Sequence, residues 1–340
     1  MSLEKKQNTL SLYCCGGAGI NIGKVFLKYN GEPSPGVAVV EPHYIDTSRS
    51  NLTSDLPDEC VYTIDGLDGS GKVRAENHIE IAEHVKSILQ QFEPKDISVV
   101  VSSAGGGSGS VIAPSLVSEL LAQGKPVIVM LVGSTATRIE LENTMKTIKS
   151  YEAISHKRGT PVVAMYAVNP EDSSKNSRTK VNEQIHRGIF LLATLFSGQN
   201  SELDTADLSN WLNYNKVTSH EPHLVSLSIH TNAVNIPKSY VPVTVATLTD
   251  ADSGSNISTE TSGVVLVDYQ CVGYLPKDAV IDGVKFERPV HFVTVDGAFS
   301  ETVAQLQTQL ASVDKARSAR VIRNAIVDKN DTSTDAGIVL

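Results

Sequence analysis

The sequence predicts an α/β protein built on a doubly wound, mainly parallel sheet, followed by a smaller α+β part. Three observations carry that expectation. Apolar runs rich in Val and Ile alternate with helical patterns over the first two-thirds of the chain. Three glycine-rich segments sit directly behind such runs. Beyond a long apolar helix the runs continue, but longer polar connections separate them. Continuous Val/Ile runs mark strands buried on both faces, the habit of parallel sheets, and alternation with helices gives right-handed crossovers.

Taken in order, strand-like runs cover Thr9–Cys15, Val37–Ile45, Cys60–Ile64, Asp96–Ser102, Pro126–Val132 and Pro161–Val168. A long helix is expected from about Lys175, because Val181, Ile185, Ile189, Leu192, Leu195 and Phe196 recur at three- and four-residue spacing. Toward its end it is apolar nearly all round, so it is expected to be buried between two bodies of protein. Leu224–Ile229, Val241–Leu248, Val264–Gly273 and Val290–Val295 read as further strands, and Ala251–Ser262 as a loop. A last helix is expected from about Ser300 to Ile326, and the tail Asp328–Leu340 is expected to be polar and flexible apart from its final Ile338-Val339-Leu340. The expected division is 1–174 for a nucleotide-binding domain, 175–198 for the central helix, 199–298 for the α+β domain, 299–327 for the last helix and 328–340 for the tail.

With 340 residues and 41% apolar composition, a sizeable core is expected. The 38 acidic residues outnumber the 29 Lys and Arg, giving a net charge of −9, which argues against direct binding to nucleic acid or an anionic membrane. No apolar run approaches the roughly 20 residues that cross a bilayer. The opening MSLEKKQNTL is too polar for a signal peptide. Cys14, Cys15, Cys60 and Cys271 match no zinc or redox spacing and are expected to be reduced and buried, which points to a cytoplasmic location. No metal-ligating cluster is visible, and Gly-x-Ser-x-Gly fails around Ser110.

The glycine segments carry the chemistry. The first is Gly16-Gly17-Ala18-Gly19-Ile20-Asn21-Ile22-Gly23, the second Gly66-Leu67-Asp68-Gly69-Ser70-Gly71-Lys72, and the third Ser103-Ala104-Gly105-Gly106-Gly107-Ser108-Gly109-Ser110. Each follows a strand and leads toward a helix, where open α/β sheets bind ligands and exposed N–H groups attract phosphate. Gly17-x-Gly19-x-x-x-Gly23, with Glu41 near the end of the next strand, also permits an NAD(P)-dependent oxidoreductase. The second segment has P-loop spacing, but Val73 stands where a hydroxyl should bind magnesium.

Taken together, GGAGINIG, AGGGSGS and the order of elements resemble the tubulin/FtsZ family, with Ser108 where that family's GGGTGS signature has Thr. The resemblance implies a GTPase that polymerises, with GTP/GDP and Mg2+ as its cofactors. It implies that Gly16, Gly17, Ala18 and Gly19 cradle the α- and β-phosphates, with Asn21 close to the nucleotide. Asp46 and Thr47 would lie on the ribose or magnesium side, and Gly69, Ser70 and Gly71 would approach the γ-phosphate. Gly105, Gly106, Gly107, Ser108, Gly109 and Ser110 would wrap the phosphates, with the Ser108 and Ser110 hydroxyls as donors. Asn169 would meet the sugar and Asn182 would read the guanine, since an amide offers both donor and acceptor.

The resemblance also implies that the catalytic carboxylates come from the next subunit, carried by the loop after the central helix. There, in Gly198 to Leu208, Asp204 and Asp207 fit the two acidic positions three apart. Glu202 falls where the family has Asn, whereas Asn200 fits only in a shifted register. Asp204 or Thr205 also suits as the N-cap of a short helix over Ala206–Asn213. Such an interface is heterologous and open, so it builds filaments.

The ending of the chain looks most like the phage- and plasmid-encoded relatives known as TubZ and PhuZ. For the phage members the resemblance implies filaments that position phage DNA or its compartment, through an adaptor, in an infected bacterium; plasmid segregation and FtsZ-like division remain alternatives. Lys315, Arg317, Arg320 and Arg323 would form a basic face for a neighbour's tail, which carries Asp328, Asp331 and Asp335.

Overall fold

The computed structural model describes residues 6–29, 36–67, 71, 74, 77–169, 175–231, 236–237, 239–250, 258–259, 263–264, 266–275, 280–281, 284–285 and 289–321. The first half alternates as expected: β1 (Thr9–Cys15), α1 (Gly16–Gly23), β2 (Val39–Asp46), β3 (Val61–Thr63), α2 (His78–Gln91), β4 (Ile97–Ser103), α3 (Gly109–Ala122), β5 (Val127–Ser134), α4 (Arg138–Arg158) and β6 (Val162–Asn169). The long helix α5 (Lys175–Leu195) and the short α6 (Thr205–Leu212) follow. The second half comprises β7 (Leu224–His230), β8 (Val241–Thr249), β9 (Ser258–Thr259), β10 (Gly263–Val264), β11 (Tyr269–Tyr274), β12 (Val280–Ile281), β13 (Val284–Lys285) and β14 (Val290–Asp296). The last helix is α7 (Ala298–Val321), and the tail lies outside the described residues.

Ten strands form one sheet in the order β11-β8-β14-β7-β6-β5-β4-β1-β2-β3. All pair in parallel except β14, which runs against both of its neighbours. The strands after α5 therefore extend the first sheet, joined where β6 meets β7 through Val162↔Leu224 to Ala164↔Ser226.

Side-chain alternation along β1 divides the core. Leu10, Leu12 and Cys14 face the layer of α1, α5 and α6, while Tyr13 and Cys15 face the layer of α2, α3, α4 and α7. Leu191, Leu192, Ala193 and Leu195 of α5 are all buried, as its all-round apolar pattern requires.

Three expectations need correction. Val264–Gly273 is not one strand: Gly263–Val264 pairs back on Ser258–Thr259 as a separate hairpin, and β11 begins at Tyr269. That hairpin also enters the segment read as loop; its residues 251–257 lie outside the described ones. Cys60 is only half-buried, although all four thiols are free.

Candidate functional site

The strand ends at Cys15 and Ser103 deliver two helix starts to one point. The first glycine segment is not a loop: α1 begins at Gly16 itself, directly off β1. Gly16 has φ +70, and a Cβ there would stand 2.8 Å from the Gly109 nitrogen. A Cβ on Gly109 would stand 2.5 Å from the Cys15 carbonyl oxygen. The first turns of α1 and α3 thus meet backbone to backbone, which only glycine at both positions allows. Beside this junction lies a cleft of about 270 Å³, lined by Cys15, Gly16, Gly17, Ala18, Asp46, Ser48, Ser50, Asn51, Ser103, Gly106, Gly107, Ser108 and Gly109. Among the described residues, no Lys, Arg or His lines it. Its attraction for an anion comes from backbone N–H groups and two helix N-termini.

A polar frame holds the cleft's walls. The Asp46 carboxylate, 1% exposed, accepts from the Thr47 N–H at 2.7 Å and from the Asn51 amide at 2.7 Å. Burial raises the Asp46 pKa above the usual carboxylate range, against those hydrogen bonds. Thr47 and Ser108 join their hydroxyls at 2.6 Å, tying the end of β2 to the third glycine segment. Asn143 of α4 donates to the Gly105 and Gly106 carbonyls at 3.2 and 3.4 Å. Thr147 donates to the Ala104 carbonyl at 2.9 Å.

The structure sorts the expected residues. Gly16, Gly17, Ala18, Asp46, Gly106, Gly107, Ser108 and Gly109 line the cleft, and Thr47 braces it. Ser110 is fully buried and its hydroxyl donates back to the Gly106 and Gly107 carbonyls at 2.7 and 2.8 Å, so it shapes the loop instead of facing the cleft. Gly19 is a packing glycine, since a Cβ there would lie 2.4 Å from the Val101 carbonyl oxygen. Asn21 is exposed on α1. Gly105 packs against Glu140. Gly71 has φ +51 and no described residue within 4 Å of where its Cβ would stand, whereas Gly69 and Ser70 lie outside the described residues. Asn169 ends β6, with its amide oxygen buried and no hydrogen-bond partner among the described residues. Asn182 is half-buried, one helical turn before His186, whose Nε2 lies 2.9 Å from the Ile22 carbonyl at the end of α1. Glu41 pairs in register with Ser11 in mid-sheet, five residues before β2 ends, so it does not stand where a dinucleotide ribose would need it.

Sequence reasoning missed Asn51, Ser48, Ser50 and Ser103 in the lining, and also Asn143 and Arg74 behind it. Arg74 donates to the Ser110 carbonyl at 3.1 Å, the Asn143 carbonyl at 3.4 Å and the Ser150 hydroxyl at 3.3 Å. Only tertiary contact reveals them, because apart from Ser103, which opens the third glycine segment, none belongs to a recognisable motif.

The acidic loop lies at the other end of the sheet. The Asn8 N–H, just before β1, donates to the Ser197 carbonyl at 3.0 Å, where α5 has ended. One length of β1, roughly 20 Å, separates this end from the cleft. The residues flanking Glu202 are pinned in turn. Asn200 is buried and its amide donates to the Thr194 and Leu195 carbonyls at 3.0 and 3.1 Å, closing α5. Ser201 exchanges two backbone hydrogen bonds with Tyr274, both at 3.0 Å. Leu203 is buried. Asp204 and Asp207 form a reciprocal capping box on α6, at 2.9 and 3.1 Å, which settles Asp204 rather than Thr205 as the N-cap. The Tyr269 hydroxyl donates to Asp207 at 3.2 Å. Between these anchors Glu202 is exposed with φ +59, the one non-glycine with positive φ among the described residues. Asn200 thus turns inward and Glu202 outward.

The profile described as "Phage tubulin-like protein, C-terminal domain" matches residues 203–293. A phage tubulin-like protein of Pseudomonas phage PhiPA3 is 31% identical over 97% of this chain and 98% of its own. The chain belongs to the phage tubulin-like proteins. A second member, from Pseudomonas phage phiKZ, is 28% identical over 96% of this chain and 97% of its own. Among solved structures, a protofilament of TubZ from bacteriophage PhiKZ superposes with a TM-score of 0.78 at 27% identity, covering 97% and 99% of the two chains. A GDP complex of the phage tubulin PhuZ shares the fold, with a TM-score of 0.81 at 23% identity, covering 97% and 99%. This phage tubulin-like protein thus has the mainly parallel sheet and terminal helix of that family. No helix among its described residues is long and apolar enough to cross a membrane.

Proposed function

We propose that this phage tubulin-like protein binds GTP in the glycine-lined cleft and hydrolyses it where subunits stack head to tail in a filament. One observation carries the reading. The cleft and the acidic loop sit at opposite ends of one rigid sheet, so Asp204 and Asp207 of a subunit cannot reach its own cleft but can complete a neighbour's. A heterologous contact of this kind repeats without closing, which is a filament.

In this reading the N–H groups of Gly16, Gly17, Gly106, Gly107 and Gly109 hold the phosphates, and the Ser108 hydroxyl adds a donor. Asn169 meets the sugar and Asn182 the base. Asp204 and Asp207 of the next subunit orient and deprotonate the attacking water, with Glu202 beside them. The lining suits Mg2+, because its side-chain donors are hard oxygens: the Asp46 carboxylate, the Ser48, Ser50 and Ser108 hydroxyls and the Asn51 amide. Bound there with the triphosphate, the ion would neutralise phosphate charge that no Lys or Arg among the described lining residues offsets. The tail docks on the neighbour's α7, and the filament positions phage DNA or its compartment in the host cytoplasm through an adaptor.

Light scattering and phosphate release, followed together with GTP, GDP and ATP, test this. GTP alone should give assembly, and phosphate release should rise more steeply than linearly with protein concentration. Turnover per subunit that is independent of concentration would refute an active site shared between subunits.

A further inference from the structure

The sequence shows no metal-ligand spacing, but the fold brings Glu152, His156 and His223 together. We propose that these three residues form a binding site for one divalent transition-metal ion, Zn2+ by ligand type, held by Glu152 Oε1, His156 Nε2 and His223 Nδ1. This site is separate from the cleft, and nothing in the nucleotide reading supports it or is needed by it.

Glu152 and His156 stand one turn apart on α4, and His223 immediately precedes β7. Glu152 Oε1 lies 2.8 Å from His156 Nε2 and 2.9 Å from His223 Nδ1, and all three atoms fall within 4.8 Å of one another. The imidazole planes are nearly perpendicular, at 88° with centroids 5.1 Å apart, so two ring nitrogens converge on a single carboxylate oxygen. The other oxygen, Oε2, accepts the Leu224 N–H at 2.8 Å, which fixes the carboxylate's orientation in the way outer partners orient metal ligands.

Two imidazoles and a carboxylate with an open fourth position form a donor set for Zn2+, Co2+ or Ni2+ rather than Mg2+ or Ca2+. Ligand distances near 2.0–2.1 Å put tetrahedral donors about 3.4 Å apart. Each nitrogen therefore has to draw back from Oε1 by about 0.5 Å, a shift that half-exposed side chains make readily. The three side chains are 38%, 55% and 37% exposed, which leaves an entry path and room for a water ligand. An ion there clips the C-terminal part of α4 to the start of β7, between residues 71 positions apart in sequence.

The test uses the full-length chain without an affinity tag, freed of metal with a chelator. Titration with Co2+ should give one equivalent of visible d–d absorption, with no thiolate charge-transfer band, and Zn2+ should displace it. The thermal midpoint should rise with Zn2+ concentration. His156→Ala and His223→Ala should each weaken binding at least tenfold, while His220→Ala, whose imidazole pairs with Asp268 at 3.2 Å, should leave it unchanged. His223→Gln keeps a donor for Glu152 but not a good ligand, and it should bind as weakly as the alanine variant while melting like the metal-free parent. No saturable binding, or wild-type binding by His223→Gln, would overturn the site and leave a hydrogen-bonded cluster in its place.

Discussion

The Arg74 guanidinium donates to the Ser110 carbonyl at 3.1 Å, and Pro114 explains why that carbonyl is available. Residue 114 is the i+4 partner of Ser110 on α3, and proline has no N–H to give. Arg74 therefore replaces a missing helical hydrogen bond from another segment, and burial lowers its pKa. Arg74→Ala leaves a buried carbonyl unpaired and should cost about 1–3 kcal/mol. Pro114→Ala restores an N–H, so it should stabilise the Arg74→Ala background more than the wild type. Urea unfolding of the four variants measures that coupling. Equal effects of Pro114→Ala in both backgrounds would remove the substitution argument.

Asp204 has two separable duties, since it caps α6 and is proposed to serve the neighbour's cleft. Asn caps as well as Asp does, whereas Ala loses about 1 kcal/mol. Asp204→Asn should unfold within a few tenths of a kcal/mol of wild type and still assemble with GTP. Its phosphate release should fall by roughly 10²–10⁴, the usual share of a general base. Wild-type turnover by Asp204→Asn would end the catalytic assignment.

Two glycines of the phosphate segments should behave oppositely. A Cβ on Gly19 meets the Val101 carbonyl oxygen at 2.4 Å, while one on Gly106 meets only Ser103 at 3.6 Å or more. Gly19→Ala should lose about 1–3 kcal/mol of stability by overpacking. Gly106→Ala should fold within about 0.5 kcal/mol of wild type. Because Gly106 lines the cleft, its methyl should instead weaken nucleotide binding at least tenfold, read by fluorescent-nucleotide titration beside thermal melts.

The strands up to β6 were legible because buried parallel strands are continuous Val/Ile runs, and β1 was expected at the bounds it has. Past α5 the signal failed where the pieces are two residues long, as in the hairpin of Ser258–Thr259 and Gly263–Val264. The glycine segments announced the cleft, but they did not distinguish Gly17, which faces it, from Gly19, which fits under a carbonyl. Asn51 and Arg74 were invisible, since each acts through contacts that only the folded chain creates. The same holds for His223, which joins Glu152 and His156 from the far side of β6 and α5.

Acid should destabilise the chain through His291. This residue is 6% exposed on β14, with Nδ1 2.9 Å from the Thr247 hydroxyl and His230 opposite it in register. Burial first, and the charge of His230 second, lower its pKa from 6.5 to about 4. Burial lowers His230 in the same direction. A lowered imidazole pKa favours the neutral folded form, so its contribution is complete above pH 6.5 and is lost as pH falls toward 4. Between pH 7 and pH 5 the loss through His291 amounts to about 2 kcal/mol. His291→Gln keeps a partner for Thr247 without a titrating group. The wild type should therefore lose about 2 kcal/mol more than His291→Gln over that interval, measured by urea unfolding at both pH values. Parallel losses in the two proteins would show that acid sensitivity arises elsewhere.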